Sequence, residues 1–315
     1  MRQWKRLQDE APQGTKLFFS IVDLHAITMP QDAPVLRQRS REMMASLLAI
    51  GLDPTKSTIF YQSSIPAHSE LMWILNCTAS VGYLNRMTQW KSKLAEDNNA
   101  LRISDETIET KLKAGLFTYP VLQAADILIH RATHVPVGDD QRQHLEFARE
   151  CATNFNHAYP GGDLVAPQTI TKNVQVHAQP PLAHPHHVRG GRDPPGASAA
   201  PSPTPSAPSR TTPGTGPASR TCWTCCPSAT PRGASRRSGP ATFSAAGAGN
   251  ADLKQAAADA VVRELAGVRE RYADFLGRKG GRWLEEIEEE GAEAARESAA
   301  ETMRMVRDVV GLKHL

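Results

Sequence analysis

The sequence predicts an α/β protein: an incomplete doubly wound parallel sheet, a disordered central segment, and a helical C-terminal lobe. Three observations carry this. Up to residue 171, short apolar β-branched runs alternate with helix-period segments at short spacing, the pattern of βαβ units. Residues 173–250 hold 14 of the 23 prolines, contain no Lys, Glu, Ile, Tyr or Met, and keep a single Leu (Leu182) and a single acid (Asp193), so they cannot bury a core of their own. After residue 251 the apolar positions return at helical period. The organisation is therefore 1–171, 172–250 and 251–315.

Along the first zone, "LFFSIVDLHAIT" reads as a buried parallel strand running into a loop. "APVLRQRSREMMASLLAIGLDP" follows as a helix, with Val35, Leu36, Met43, Met44, Leu47 and Leu48 on one face and Gly51 and Pro54 as the stop. "STIFYQSS" is a second strand and "HSELMWILNCTASVGYLNRM" a second helix. In the last zone, Leu253, Ala257, Val261, Leu265, Val268, Tyr272 and Phe275 trace one face, closed by "GRKGG", and a further helix covers "RWLEEIEEEGAEAARESAAETMRMVRDVVGL", its Glu run a solvated face.

Bulk properties exclude some classes. No apolar run approaches the ~18 residues of a membrane span. The N-terminal stretch shows neither an apolar signal core nor the Ser-rich, acid-poor character of a transit peptide. A net charge of +3 permits nucleic-acid binding without demanding it. Five cysteines, three of them in "TCWTCC", are not a disulfide framework and point to a reducing compartment. Adjacent Cys225 and Cys226 fit the paired spacing of a zinc site poorly, even with His184, His186 and His187 upstream, so no metal site is expected.

The informative stretch is "GLFTYPVLQAADILIHRATHVPVGDDQRQHLEFARECATNFN", residues 115–156. Asp126 lies inside an apolar helix, where an unpaired carboxylate is costly, so it needs a donor that a ligand could provide. "VPVGDDQRQH" reads as a strand end, a Gly turn and a polar helix start, the place where open α/β sheets bind ligands.

These segments, with "SIVDLHAIT", "QSSIPAHSELMWIL" and "MTQWK", resemble tryptophanyl-tRNA synthetases of the bacterial and mitochondrial type, which are class I aminoacyl-tRNA synthetases with a Rossmann-like fold. The last zone is similar to the helical end of the same family. The resemblance implies ATP-dependent activation of tryptophan, with Mg2+, and transfer to tRNA-Trp by a homodimer. It implies that Asp126 accepts a hydrogen bond from the indole N–H, that Tyr119 and Gln141 hold the substrate ammonium, and that Val22, His25, Gln123, Val135 and Val137 wall the pocket. Gly138, Asp139 and Asp140 match the turn at the nucleotide. His144 matches no catalytic role and reads as a structural, hydrogen-bonded histidine. The same resemblance places the protein in the mitochondrial matrix, with the cytoplasm as the alternative.

Two signatures of the family have no match here. The chain opens at "RQWKRLQDE", which resembles family sequence just downstream of the HIGH-type motif, so the first strand and that motif are expected to lie outside it. No lysine occurs between 173 and 253, where the KMSKS loop belongs. The composition of the central zone is that of a GC-rich message read out of frame. Cys-Trp-Thr-Cys-Cys is TGY TGG ACN TGY TGY, and one base earlier it becomes NTG YTG GAC NTG YTG, which encodes φ-Leu-Asp-φ-Leu, with φ being Leu, Met or Val. In the same shift, "PASR" with the Thr after it is compatible with Gly-Val-(Ser or Ala)-Asn and "PSPTPSAPSRTTP" with a segment carrying Thr-Asp-Ser and Tyr-Asp-Pro, both similar to family sequence from this region. Residues from about 196 to 245 are thus read as out-of-frame translation of the helical region. As written, the chain is expected to be catalytically inactive. The alternatives are a catalytically dead protein that keeps a tryptophan pocket, and a Pro-rich interaction scaffold built on "PSPTP".

Overall fold

The computed structural model describes residues 2–97, 111–138, 141–170, 220–225 and 250–313. The chain begins with α1 (Arg2–Glu10), then β1 (Lys16–Ile21), the short α2 (Asp23–Ala26), α3 (Ala33–Ala49) and β2 (Thr58–Tyr61). A 3-10 turn at Gln62–Ser64 leads into α4 (Ala67–Asn76), α5 (Val81–Arg86) and α6 (Gln89–Asp97). Then come α7 (Ala114–Leu128), β3 (His134–Pro136), α8 (Arg142–Ala158), β4 (Gln168–Ile170) and β5 (Arg220–Cys225). The C-terminal lobe is α9 (Asn250–Leu265), α10 (Val268–Gly277), a 3-10 turn at Arg278–Gly281 and the long α11 (Arg282–Val310).

The five strands form one sheet in the order β2-β1-β5-β3-β4, with every pairing parallel. Side chains along β1 alternate between its faces, as the pleat requires. Leu17, Phe19 and Ile21 pack with Met44, Leu47 and Leu48 of α3, while Phe18 joins the opposite core with Leu71 and Leu75 of α4 and Val121 and Leu128 of α7. Helices thus cover both faces, the doubly wound arrangement expected.

α3 starts and stops where its sequence says. The Asp32 side chain caps it by accepting from Val35 N at 3.0 Å, and Gly51 beyond its end takes φ +102°, a conformation favouring glycine. The sheet's β2 edge is covered by α11. Leu284 and Ile287 of that helix reach the α3 core, and Ala292, Ala295, Ala299, Met303 and Val306 reach the α7 core. The crossing is close because residue 291 is glycine: a Cβ there would lie 1.9 Å from the Ile59 carbonyl oxygen.

Three elements differ from expectation. The second helix is two, α4 and α5, because Ser80 caps a new start by accepting from Tyr83 N at 3.2 Å. The face traced from Leu253 to Phe275 is broken at Gly267, φ +76°: its second half, Tyr272 and Phe275, packs beside the α3 core, whereas Val261 and Leu265 on α9 are exposed. Finally, the segment read as wholly disordered contributes β5, which pairs with β1 over its full length and with β3. A slot between two parallel strands offers unpaired backbone N–H and C=O groups on both sides, and such groups demand partners. Thr221, Trp223 and Thr224 are strand formers and suit that slot despite the composition around them. The sequence-based reading of the remainder of 172–250 lies outside the described residues.

Candidate functional site

The loops after β1, β2 and β3 meet on one side of α7, at the carboxyl ends of the strands. Asp126 is fully buried there. Its burial demands a donor, and the described residues supply at least three. His25 Nε2, from α2, donates to Oδ2 at 2.9 Å; Gln62 Nε2, from the turn after β2, donates to Oδ1 at 2.7 Å; His68 Nδ1, from α4, donates to Oδ1 at 2.6 Å. Burial alone would raise the Asp126 pKa, but the hydrogen bonds and charges of His25 and His68 outweigh it and hold the carboxyl well below the usual range, so it stays ionised.

About two turns away along α7, a second network begins. Buried Tyr119 donates its hydroxyl to His144 Nε2 at 3.3 Å, and His144 Nδ1 donates to Gln141 Oε1 at 2.9 Å; Gln123 Nε2 donates to the same oxygen at 3.3 Å. Lys93 of α6 lies 4.4 Å above the Tyr119 ring. The Tyr119 and His25 rings meet edge to face at 6.1 Å, which joins the two networks. Val22, just after β1, and Val135, within β3, are buried, and Val137 after β3 packs half-buried against the core that holds Val135. Gly138 is exposed at the β3 turn; Asp139 and Asp140 lie outside the described residues.

The structure therefore links Asp126, His25, Tyr119, Gln123 and Gln141 in two joined networks, with Val22 and Val135 buried and Val137 half-buried along the strands that lead to them. His25 differs from its expected part as a wall, because it holds the carboxylate directly. Sequence reasoning missed Gln62, His68 and Lys93, although the first two stand inside "QSSIPAHSELMWIL". Among the described residues no group of three or more His, Cys, Asp or Glu could hold a metal ion, so no described residue is assigned to Mg2+. A separate cleft of about 630 Å³ between α3 and α11, lined by Arg37, Arg41, Tyr61, Glu285 and Glu288 among others, contains none of the expected site residues.

The family model for class I tRNA synthetases (W and Y) matches residues 1–182, more than half of the chain. The chain belongs to that family. It is 51% identical over 175 residues to the mitochondrial tryptophan–tRNA ligase of Schizosaccharomyces pombe, which is 54% of this chain and 48% of that one. It is 48% identical over 179 residues to the mitochondrial enzyme of Saccharomyces cerevisiae (55% and 47%), and 49% identical over 157 residues to the tryptophan–tRNA ligase of Caulobacter vibrioides (50% and 41%). The chain spans about half the length of the curated relatives it matches. In structure it is similar to the tryptophanyl-tRNA synthetase of Campylobacter jejuni complexed with ADP and tryptophan, at TM-score 0.65 and 25% identity over 99% of this chain and 93% of that one. The synthetase fold thus extends over the C-terminal lobe as well as the sheet. No helix among the described residues is long and apolar enough to cross a membrane.

Proposed function

We propose that this protein is a tryptophan–tRNA ligase by descent, one that uses ATP and Mg2+ to activate tryptophan for transfer to tRNA-Trp. The observation that carries the reading is the ionised, fully buried Asp126 at the carboxyl edge of the sheet. A site that accepts a hydrogen bond from its substrate rejects analogues lacking the donor far better than an apolar slot does. In this reading Asp126 accepts from the indole N–H, the Tyr119–His144–Gln141–Gln123 network orients the ammonium, Val22, Val135 and Val137 wall the ring, and the Gly138 turn with Asp139 and Asp140 meets the nucleotide. His144 keeps Tyr119 and Gln141 in register and takes no part in proton transfer. The active form is a homodimer of the mitochondrial matrix, supported by two mitochondrial relatives; a bacterial relative of similar identity leaves the cytoplasm as the alternative.

The 315-residue chain binds tryptophan and does not catalyse in this reading, because residues 173–253 contain no lysine to meet the pyrophosphate charge. Calorimetric titration with L-tryptophan beside a tryptophan-dependent ATP–pyrophosphate exchange assay separates binding from catalysis. Absence of tryptophan binding would refute the pocket assignment, and robust exchange by the purified chain would refute the inactivity.

A further inference from the structure

We propose that Gln62 and His68 are positioning residues that set the selectivity of this site for a ring N–H donor, by fixing the plane of the Asp126 carboxylate. The proposal rests on the assignment of Asp126 as the acceptor for that N–H.

Both residues donate to the same oxygen, Oδ1, at 2.7 and 2.6 Å, while His25 holds Oδ2 at 2.9 Å. A carboxylate held at one oxygen can turn about its Cβ–Cγ bond, whereas one held at both cannot without breaking a charge-assisted hydrogen bond. The two donors are themselves locked. His68 is fully buried, with the Phe60 ring at 5.9 Å and the His130 ring at 5.2 Å. His130, stacked on Phe18 at 4.5 Å, meets Ser298 Oγ of α11 at 3.2 Å. Next to Gln62, Ser63 N donates to Asp23 Oδ1 at 2.9 Å and the Ser64 carbonyl accepts from Arg296 Nε at 3.3 Å. The support therefore runs from the first strand loop to the C-terminal helix.

Stability alone does not account for this pair. Gln62 Oε1 and His68 Nε2 are buried with no hydrogen-bond partner among the described residues, and an unsatisfied buried polar atom is costly. Replacing a buried polar cluster by apolar side chains of similar volume is often neutral or stabilising. The gain from these two residues lies at their other ends, on Oδ1. A neutral indole N–H is recognised best by an acceptor that is ionised and already aimed; a turned or protonated carboxyl would offer it the wrong face.

Among the described residues, the groups facing the carboxylate include His25 from α2, Gln62 from the turn after β2 and His68 from α4, with His130 behind His68 and Tyr119 beyond His25. Without the His68 bond, burial pulls the carboxyl toward its neutral form, so the acid limit of recognition moves up in pH.

The test measures equilibrium binding of L-tryptophan and of 3-(3-benzothienyl)alanine, in which sulfur replaces the ring N–H, to the full chain from pH 5.5 to 8.5. Wild type prefers tryptophan at a ratio that changes little with pH. His68→Leu lowers that ratio about tenfold, the effect of one lost hydrogen bond to a charged group, and lowers it further toward acid. His68→Asn, whose amide N–H can stand where Nδ1–H stood, restores most of the preference. A His68→Leu protein that weakens both ligands equally, or an Asn variant no better than Leu, overturns the proposal. If His68→Leu does not fold, Gln62→Met must lower the ratio severalfold on its own, and an unchanged ratio there overturns it equally. Wild type binding both ligands alike defeats the Asp126 assignment and this proposal together, whereas a selective wild type with equally selective variants defeats this proposal alone.

Discussion

At Asp126 two opposing effects meet. Removing an isolated carboxylate from water costs several kcal/mol, yet three donors close around this one and it stays ionised. Asp126→Ala should therefore do more than enlarge the site: it leaves Gln62, His25 and His68 without their shared acceptor. The expected loss is roughly 2–4 kcal/mol of tryptophan binding, with selectivity over phenylalanine collapsing; titration with both amino acids measures it, and unchanged discrimination would contradict the role. The pH dependence follows from the direction of the shift. The folded-state pKa lies below the unfolded value of about 3.9, so the stabilisation is complete above that value and is lost as pH falls through the folded pKa. Denaturant midpoints measured below pH ~4 should fall more steeply for wild type than for Asp126→Asn. Asp126 was legible in the sequence because one acid stands in an otherwise apolar helix. Gln62 and His68 were not, because polar residues just past a strand look like any solvated loop, and pairings 64 and 58 residues apart leave no trace in local periodicity.

Elements were legible where periodicity agreed with the punctuation around it: β1 and β2 stand in their apolar β-branched runs, and α3 runs along its apolar face and ends ahead of Gly51 and Pro54. Periodicity reports that a face exists, not that something covers it. Val261 and Leu265 carry the helical spacing of a core face and yet are exposed. The converse holds at Gly291, whose meaning appears only when α11 crosses β2. Adding a methyl there meets the backbone carbonyl of Ile59, which cannot step aside as a side-chain end could. Gly291→Ala should cost on the order of 1–3 kcal/mol, the usual range for overpacking, seen as a lowered urea midpoint, while Ala at exposed Gly277, where a Cβ meets nothing within 4 Å, should cost far less. The exposed surface of α4 and α5 carries Trp73, 71% accessible, and Val81, 68% accessible. If a second copy covers them in the homodimer proposed above, Trp73→Glu should shift the chain toward monomer in sedimentation velocity, and an unchanged mass distribution would count against that interface.

In the reading proposed above, the molecule as a whole sets a tryptophan pocket beside a central segment that carries no lysine from 173 to 253. The sheet tolerates this because the position between β1 and β3 is taken by Arg220–Cys225, which joins the five strands into one sheet. Fold and catalysis then separate. Strand pairing needs only extended backbone, whereas adenylate formation needs positive charge preorganised where the pyrophosphate develops. Residues 173–253 supply no lysine for that purpose, and removal of even one preorganised contact of this kind costs about 10²–10³ in rate. The 315-residue chain should accordingly bind tryptophan yet give no tryptophan-dependent ATP–pyrophosphate exchange above background. A chimera with residues 173–250 replaced by a family segment bearing a KMSKS loop should gain exchange and tRNA charging together. Charging by the unaltered chain would show that the charge is supplied elsewhere in the molecule; a chimera that binds tryptophan but stays silent would move the defect from the missing lysines to the site around Asp126 itself.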